Sequence, residues 1–148
     1  MLFRSDGESI FYYITVMNEQ YEMLPMPEGA RDGILKGMYK LRGASKKAKL
    51  KAQLLGSGAI LNETLKAQQM LEAFGVAADV WSVTSYSELY RDGHAAERWN
   101  RLHPLDTPRV PYVTQCLGGT DGVIVAASDY VKILPDAIDR WKIGRAHV

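Results

Sequence analysis

Two periods of apolar and polar positions run along the chain, and together they predict its secondary structure. Short apolar runs rich in β-branched and aromatic residues are typical of strands, and longer stretches with apolar residues three and four positions apart are typical of helices. The predicted strands cover residues 8–16, 51–55, 79–83 and 123–127. The predicted helices cover residues 28–41, 58–74, 85–102, 111–117 and 128–141.

Residues 51–61, which read Lys-Ala-Gln-Leu-Leu-Gly-Ser-Gly-Ala-Ile-Leu, organise the rest of the chain. They combine a buried strand, a tight glycine turn and the first turn of a helix, which is how a βαβ unit begins. One incoming strand followed by three such strand–helix units predicts an α/β fold, with an open, mostly parallel sheet flanked by helices.

Local signals support several of these boundaries. Ser85 and Glu88 form a capping box at the start of the predicted helix 85–102. Pro111 suits the first position of a short helix, and Gly75 suits a helix C-terminus. Glycines at every fourth residue of the helix 28–41 (Gly29, Gly33 and Gly37) predict close approach of another backbone, since interior glycine costs about 1 kcal/mol. A frayed helix is the alternative.

Composition narrows the class of protein. A chain of 148 residues with 47% hydrophobic and 24% charged residues suits one globular domain. The formal net charge of +1 argues against a nucleic-acid or anionic-membrane partner. No apolar run has the length of a membrane span, and Cys116 is the only cysteine, which rules out an internal disulfide. A cytoplasmic protein is the simplest expectation.

The sequence also suggests boundaries. Residues 1–5 and 142–148 resemble translated sequencing adaptor, and we expect artefactual or disordered tails at residues 1–7 and 142–148. Residues 8–27 combine a strand with an irregular, proline-containing connector, which often joins domains. We therefore expect residues 28–141 to form the main domain of a fragment of a longer protein.

The turn Gly56-Ser57-Gly58 is the first candidate for a ligand site. A dinucleotide fingerprint needs a third small residue three positions after Gly58, where the chain has Leu61, and an acidic residue at the end of the second strand. Asp79 begins that strand instead, at the wrong edge of the sheet, and Thr84 and Ser85 occupy the expected edge. The pattern therefore favours a tight turn over a nucleotide site.

The other candidate residues are isolated from one another. Gly119-Thr120-Asp121-Gly122 has the wrong spacing for a thiamine diphosphate and magnesium motif and favours a turn. His94, His103 and His147 lack metal-ligand spacing, and Cys116 has no neighbouring general base. The residues alone predict no catalytic, cofactor-binding or metal-binding set.

Several longer stretches are more specific than this. They are residues 11–19 with 27–29, 53–58, 79–85, 98–100, 103–112 and 127–130. The most specific of them is His-Pro-Leu-Asp-Thr-Pro-Arg-Val-Pro-Tyr at 103–112. Through these stretches the chain resembles the homodimeric bacterial pyruvate dehydrogenases, the thiamine-dependent decarboxylating components, over nearly everything between its two ends.

The resemblance implies a fold and a place in a larger enzyme. Residues 8–27 would end a pyrimidine-binding domain, and residues 28–141 would form a transketolase-like C-terminal domain that acts as scaffold and dimer interface. The longer enzyme would use thiamine diphosphate and magnesium to decarboxylate pyruvate and pass the acetyl group to a lipoyl arm. Its partners would be a second copy of the subunit and the lipoyl acyltransferase component. The family's cofactor motif and catalytic residues precede this region, so none is assigned here and this chain is expected to bind no cofactor.

Two alternatives remain open at this stage. The chain could be an independent α/β ligand-binding or regulatory module that uses the Gly56–Gly58 edge. It could also belong to a related thiamine-dependent 2-oxoacid dehydrogenase or a transketolase-like enzyme.

Overall fold

The computed structural model describes residues 2–3, 10–11, 13–14 and 20–142. The strands are β1 Leu2–Phe3, β2 Ile10–Phe11, β3 Met38–Arg42, β4 Leu50–Gly56, β5 Val76–Val83 and β6 Val123–Ala127. The helices are α1 Arg31–Lys36, α2 Ile60–Ala73, α3 Tyr86–Leu102, α4 Tyr112–Leu117, α5 Ile133–Asp136 and α6 Asp139–Lys142.

Four of the strands form the central sheet, in the order β3-β5-β4-β6. β4 lies parallel to both β5 and β6, with Leu54 opposite Val80 on one side and Val125 on the other. β3 is the single antiparallel member and pairs with β5 at one edge. The predicted open, mostly parallel α/β sheet is therefore confirmed.

Apolar side chains pack on both faces of this sheet. The larger cluster joins strand residues such as Leu55 and Trp81 to α3, α4 and α6, where Leu89, Val113 and Trp141 are buried. A smaller cluster on the other face packs Leu54 and its neighbours against α2. Because both faces of the sheet are covered, consecutive residues are buried in β4 (52–56) and β5 (80–83), without alternation between buried and exposed positions.

One polar side chain inside this core is held by hydrogen bonds. Gln53 of β4 is buried, and its Oε1 accepts a hydrogen bond from the Trp81 indole nitrogen at 2.8 Å. Its Nε2 donates to the backbone oxygen of Asp121 at 3.3 Å. Both halves of the amide are paired, so burial leaves no polar atom of this side chain unsatisfied.

The predicted helix over residues 28–41 is wrong. α1 covers only Arg31–Lys36 and ends at Gly37, whose φ of +102° is left-handed, and β3 follows at once. Gly29 lies before the helix, so the three glycines do not form one helical strip. Close backbone approach is nevertheless present, because a Cβ on Gly33 would lie 2.9 Å from the Met38 oxygen.

The C-terminal third also differs from the sequence prediction. The sequence predicts a buried strand at β6, but Val123 is 68% exposed because β6 lies at the edge of the sheet. The single helix predicted over residues 128–141 is two short helices, α5 and α6, with Pro135 inside the first. Pro111 is the N-cap residue of α4 rather than its first helical residue.

Part of the chain before residue 20 lies outside the described residues. Of the strand predicted over residues 8–16, the structure describes Ile10 and Phe11, which pair with β1, and Tyr13 and Ile14, which are exposed and not in a strand. Residues 1, 4–9, 12, 15–19 and 143–148 are not described, and the proposed tails and domain boundaries stay predictions. No described helix is long and apolar enough to cross a membrane.

Residues 20–29, here called the connector, lead into the domain without helix or strand. Asn62 at the start of α2 donates from Nδ2 to the Glu22 backbone oxygen at 3.0 Å. Leu24 packs against the apolar cluster beneath α2. The connector is therefore seated on the domain rather than free of it.

Candidate functional site

The carboxyl ends of β4, β5 and β6 meet at one edge of the sheet. The chain leaves β4 through α2 to reach β5 on one side, and β6 returns on the other side of β4. A crevice opens where neighbouring strands connect in opposite directions, and open α/β sheets generally bind ligands there. In this fold that point lies between Gly56 at the end of β4 and Ala127 at the end of β6.

The Gly56-Ser57-Gly58 stretch is a tight strand-to-helix turn, as predicted. Gly58 has a φ of +58°, and α2 begins two residues later without a side-chain cap. A Cβ on Gly56 would lie 2.6 Å from Thr64 Oγ1 and 3.0 Å from Leu61 Cα. Gly56 thus supplies the close strand–helix approach that a nucleotide fold obtains from a small residue at the position of Leu61.

A pair of serines closes the crevice itself. The buried Ser57 donates from Oγ to Ser128 Oγ at 2.9 Å, and Ser128 Oγ also accepts from the Tyr130 amide at 3.1 Å. These bonds tie the ends of β4 and β6 together. The Ser57 hydroxyl proton and both acceptor positions of Ser128 Oγ are therefore used within the protein.

The polar groups at the end of β5 also form hydrogen bonds within the protein. The Thr84 and Ser85 amides donate to the Gly37 oxygen at 2.9 and 3.1 Å, and Ser85 Oγ accepts from the Glu88 amide at 3.1 Å. The predicted Ser85 cap is confirmed. The reciprocal half of the capping box is wrong, since the Glu88 carboxylate pairs with Arg91 and the Ser85 amide is bonded to Gly37.

A cleft of about 570 Å³ remains beside these turns, and we call it the carboxyl-edge cleft. The connector forms one wall through residues 21–24, and serine, threonine and tyrosine residues form much of the remainder. Glu22 is the only charged residue in the described lining. The described lining therefore supplies no lysine or arginine side chain to pair with a diphosphate group.

Tyr86, at the first position of α3, is a site residue that sequence reasoning did not identify. It is buried, borders the carboxyl-edge cleft, and its hydroxyl has no hydrogen-bond partner in the described structure. Burial raises the pKa of Tyr86 to about 12, so the phenol stays neutral. No sequence signal marks it, because a tyrosine in an apolar helix position looks like any core aromatic.

The predicted histidine and cysteine candidates are not brought together. His94 packs edge-on against Tyr90 and Trp141, with ring centroids 4.4 and 5.1 Å apart. His103 stacks on Trp99 at 3.6 Å. His147 lies outside the described residues. No three His, Cys, Asp or Glu side chains in the described part of the chain are placed to hold a metal ion.

Cys116 and the Gly119–Gly122 stretch also have structural explanations. Cys116 is half-buried on α4, and burial raises the pKa of its thiol, which disfavours the reactive thiolate. Residues 119–122 form the turn into β6, at the opposite edge of the sheet from the cleft, and Asp121 pairs with Lys51 at 2.7 Å. The predicted turn is confirmed.

Asp79 lies in the fourth position of β5 rather than at its start, so the sequence placement was wrong by three residues. Its carboxylate accepts from Lys40 Nζ at 2.8 Å and from the Ala44 amide at 2.9 Å. Burial raises the pKa of Asp79, but these hydrogen bonds outweigh burial and hold the pKa below its ordinary value. Asp79 therefore fastens β3 and the following turn to β5.

We expect Asp79→Asn to reduce the stability gained above pH 4. A lowered folded-state pKa means that the carboxylate stabilises the fold above its unfolded pKa and loses this contribution as the pH falls through the folded value. At pH 7 the variant should lose about 1 kcal/mol of unfolding free energy, and the difference should shrink towards pH 3. Urea unfolding at both pH values measures this; a loss independent of pH would contradict it. Lys40→Met should reproduce most of the effect.

Comparison with known proteins gives the same fold from an independent direction. The family model of the transketolase-like TK C-terminal domain matches residues 37–144. The pyruvate dehydrogenase E1 component of Pseudomonas aeruginosa is 53% identical over 137 residues, covering 92% of this chain and 16% of that protein. The Escherichia coli K12 E1 component is 51% identical over 132 residues, and that of Mycobacterium tuberculosis 45% over 139. The chain spans 14–16% of the length of these three relatives.

Proposed function

Because the chain belongs to the family of transketolase-like C-terminal domains, we propose that it serves as the C-terminal scaffold domain of a pyruvate dehydrogenase E1 component. The observation that carries this proposal is the character of the carboxyl-edge cleft. The Ser57–Ser128 hydrogen bond closes the crevice, and the connector forms one wall of the cleft. Among the described residues, the cleft has no lysine or arginine side chain and no group of residues that could hold a metal ion. In this proposal the carboxyl edge of the sheet binds the connector rather than a substrate.

The connector supports a role in joining domains. It is bonded to α2 through Glu22 and packed beneath it through Leu24. Tyr130 and Ile133 at the same end of the sheet are 59% and 70% exposed. These exposed apolar side chains lie beside the connector, where they could contact a preceding domain. We propose that this is the pyrimidine-binding domain that ends within residues 8–27.

The chemistry of the longer enzyme would take place outside these residues. We propose that it converts pyruvate to carbon dioxide and transfers the acetyl group to a lipoyl group, with thiamine diphosphate and magnesium supplying the carbanion chemistry. The described residues offer no lysine or arginine at the cleft for a diphosphate and no oxygen cluster for magnesium. No step of the reaction is therefore assigned to this chain.

The same proposal covers partners and location. A second copy of the subunit and the lipoyl acyltransferase component would be the partners, and the enzyme would be cytoplasmic. A net charge of +1 gives no support for a nucleic-acid partner.

Calorimetry and activity of two polypeptides test this proposal. We expect the native-length polypeptide to bind thiamine diphosphate with magnesium and to decarboxylate pyruvate, and the 148-residue chain to do neither. Stoichiometric binding by the short chain would favour an independent ligand-binding module. Decarboxylation of another 2-oxoacid, without pyruvate turnover, would favour a related thiamine enzyme.

A further inference from the structure

Residues 104–110, here called the strap, form an exposed apolar surface between α3 and α4. Leu105 is 98% exposed, and Val110 and Leu102 beside it are 50% and 63% exposed. Single exposed apolar side chains are common on proteins, but three within nine residues form a patch that usually marks an interaction site.

The strap is tied to α3 by hydrogen bonds and ring contacts, although Leu105 at its tip is exposed. The Arg109 amide donates to Asn100 Oδ1 at 2.7 Å, and Asn100 Nδ2 donates back to the Arg109 oxygen at 2.9 Å. The Arg109 guanidinium lies 3.5 Å above the Trp99 ring, whose other neighbour is the stacked His103 ring. Prolines at 104 and 108 restrict the backbone further.

A loop fixed in this way presents Leu105 without an ordering cost at the moment of binding. Loss of conformational freedom is one of the main costs of association, and preorganisation lowers it. The reciprocal Asn100–Arg109 bonds and the ring stack add little to the core, because the strap itself is exposed. They are better explained by the presentation of the strap to a partner.

The charge around the patch is positive. Arg98, Arg101 and Arg109 are exposed, and none forms an ion pair with another described residue. Arg98 lies three and four residues before Arg101 and Leu102, so these side chains share one face of α3. Asp106 is the single acidic residue of the strap. A partner with carboxylates around an apolar pocket would complement this surface.

We propose that the strap docks into a carboxylate-rimmed apolar pocket elsewhere in the same, longer polypeptide. The proposal rests on the proposed function, in which this chain is one domain of an enzyme whose relatives are covered to only 14–16% of their length. The three apolar side chains and the three arginines make six, whereas a stable interface between separate proteins uses about 20–30 residues per side. A tethered partner needs less surface, because the tether raises its effective concentration.

Photo-cross-linking of the native-length polypeptide tests the docking. Benzoylphenylalanine replaces Leu105, and in a matched control it replaces Leu35, which is 68% exposed on α1. We expect the Leu105 probe to cross-link within one polypeptide, to an acidic segment outside residues 20–142, with a yield about five-fold or more above the control. Equal yields, or a product of twice the polypeptide mass on a denaturing gel, would overturn the proposal.

Charge reversal separates specific docking from accidental contact. Arg98→Glu with Arg101→Glu should lower the cross-link yield about five-fold or more, and Lys46→Glu with Lys47→Glu should leave it unchanged. No effect of the arginine changes would refute the charge argument. Pyruvate decarboxylation is measured on the same preparation, so that the two proposals can fail separately. An active enzyme that gives no cross-link would contradict the docking proposal alone. A polypeptide that cross-links but does not decarboxylate pyruvate would contradict the proposed function.

Discussion

Gly37→Ala is expected to lower the unfolding free energy by roughly 3 kcal/mol, from backbone strain and steric overlap together. Gly37 has a φ of +102°, which side chains rarely adopt, and a Cβ there would lie 2.6 Å from the Ser85 oxygen. The Gly37 oxygen also accepts from two amides at the end of β5. Any shift that relieves the overlap would therefore disturb the joint between α1, β3 and α3.

Gly75→Ala is the matched control for this prediction. Gly75 has a φ of +77° but no atom within 4 Å of a Cβ, so it isolates the strain of the left-handed conformation at about 1–2 kcal/mol. Urea unfolding with comparison of midpoints and slopes measures both variants. Equal losses at the two glycines would show that the contact with Ser85 contributes nothing.

Trp141→Ala is expected to lower the unfolding free energy by about 3–5 kcal/mol. Trp141 of α6 is buried over Gly93 of α3, and its indole nitrogen donates to Glu97 Oε1 at 2.8 Å. Its ring also meets those of Tyr90 and His94 edge-on. Removal of the indole would leave a cavity between α3 and α6.

A double-mutant cycle with Gly93 makes this prediction specific. A Cβ on Gly93 would lie 2.6 Å from the Trp141 ring, so Gly93→Ala should destabilise the wild-type protein by about 1–3 kcal/mol. In the Trp141→Ala background the overlap is gone, and the same change should stabilise the protein by about 1 kcal/mol through helix propensity. A cost of Gly93→Ala that is the same in both backgrounds would show that the two residues are not coupled.

The middle of the chain could be predicted from its sequence because local and tertiary signals agree there. β4, α2, β5 and α3 combine continuous apolar runs, correctly spaced helical positions and a serine cap, and all four elements lie where they were predicted to within a few residues. The order of these four elements also agrees with the prediction, although β3 before them was not predicted. Leu65 of α2 and Leu89 of α3 are buried as their spacing indicates, whereas Phe74 and Leu102 at the ends of the two predicted helices are exposed.

The edges of the sheet could not be predicted in the same way. Ile34, Met38 and Leu41 have helical spacing, but Gly37 breaks the helix and β3 is placed by its pairing with β5, which is a tertiary contact. β6 has the composition of a buried strand, yet its neighbours leave one face open. Strand pairing and the burial of a strand face both depend on residues that are distant in sequence, so the local sequence does not indicate them.

The tight Gly56–Gly58 turn of the candidate site could be predicted from the sequence, and the contacts around it could not. Leu61 and the absence of an acidic residue at the end of β5 argued correctly for a tight turn. The Ser57–Ser128 bond, the seated connector and the buried Tyr86 hydroxyl each join segments that are far apart in sequence. The strap carried the most specific family resemblance, but its rigidity becomes visible only through its contacts with α3.

The open edge at β6 has a consequence for anyone who prepares this chain alone. No described strand pairs with its outer side, so a row of backbone amides and carbonyls faces outward beside Val123 and Val125. Such a row is a template for adding strands from other molecules, and natural proteins cover or charge it to avoid aggregation. The Lys51–Asp121 pair at the start of β6 is the nearest charged protection. Concentrated samples would therefore tend to polymerise edge to edge unless another polypeptide segment caps β6.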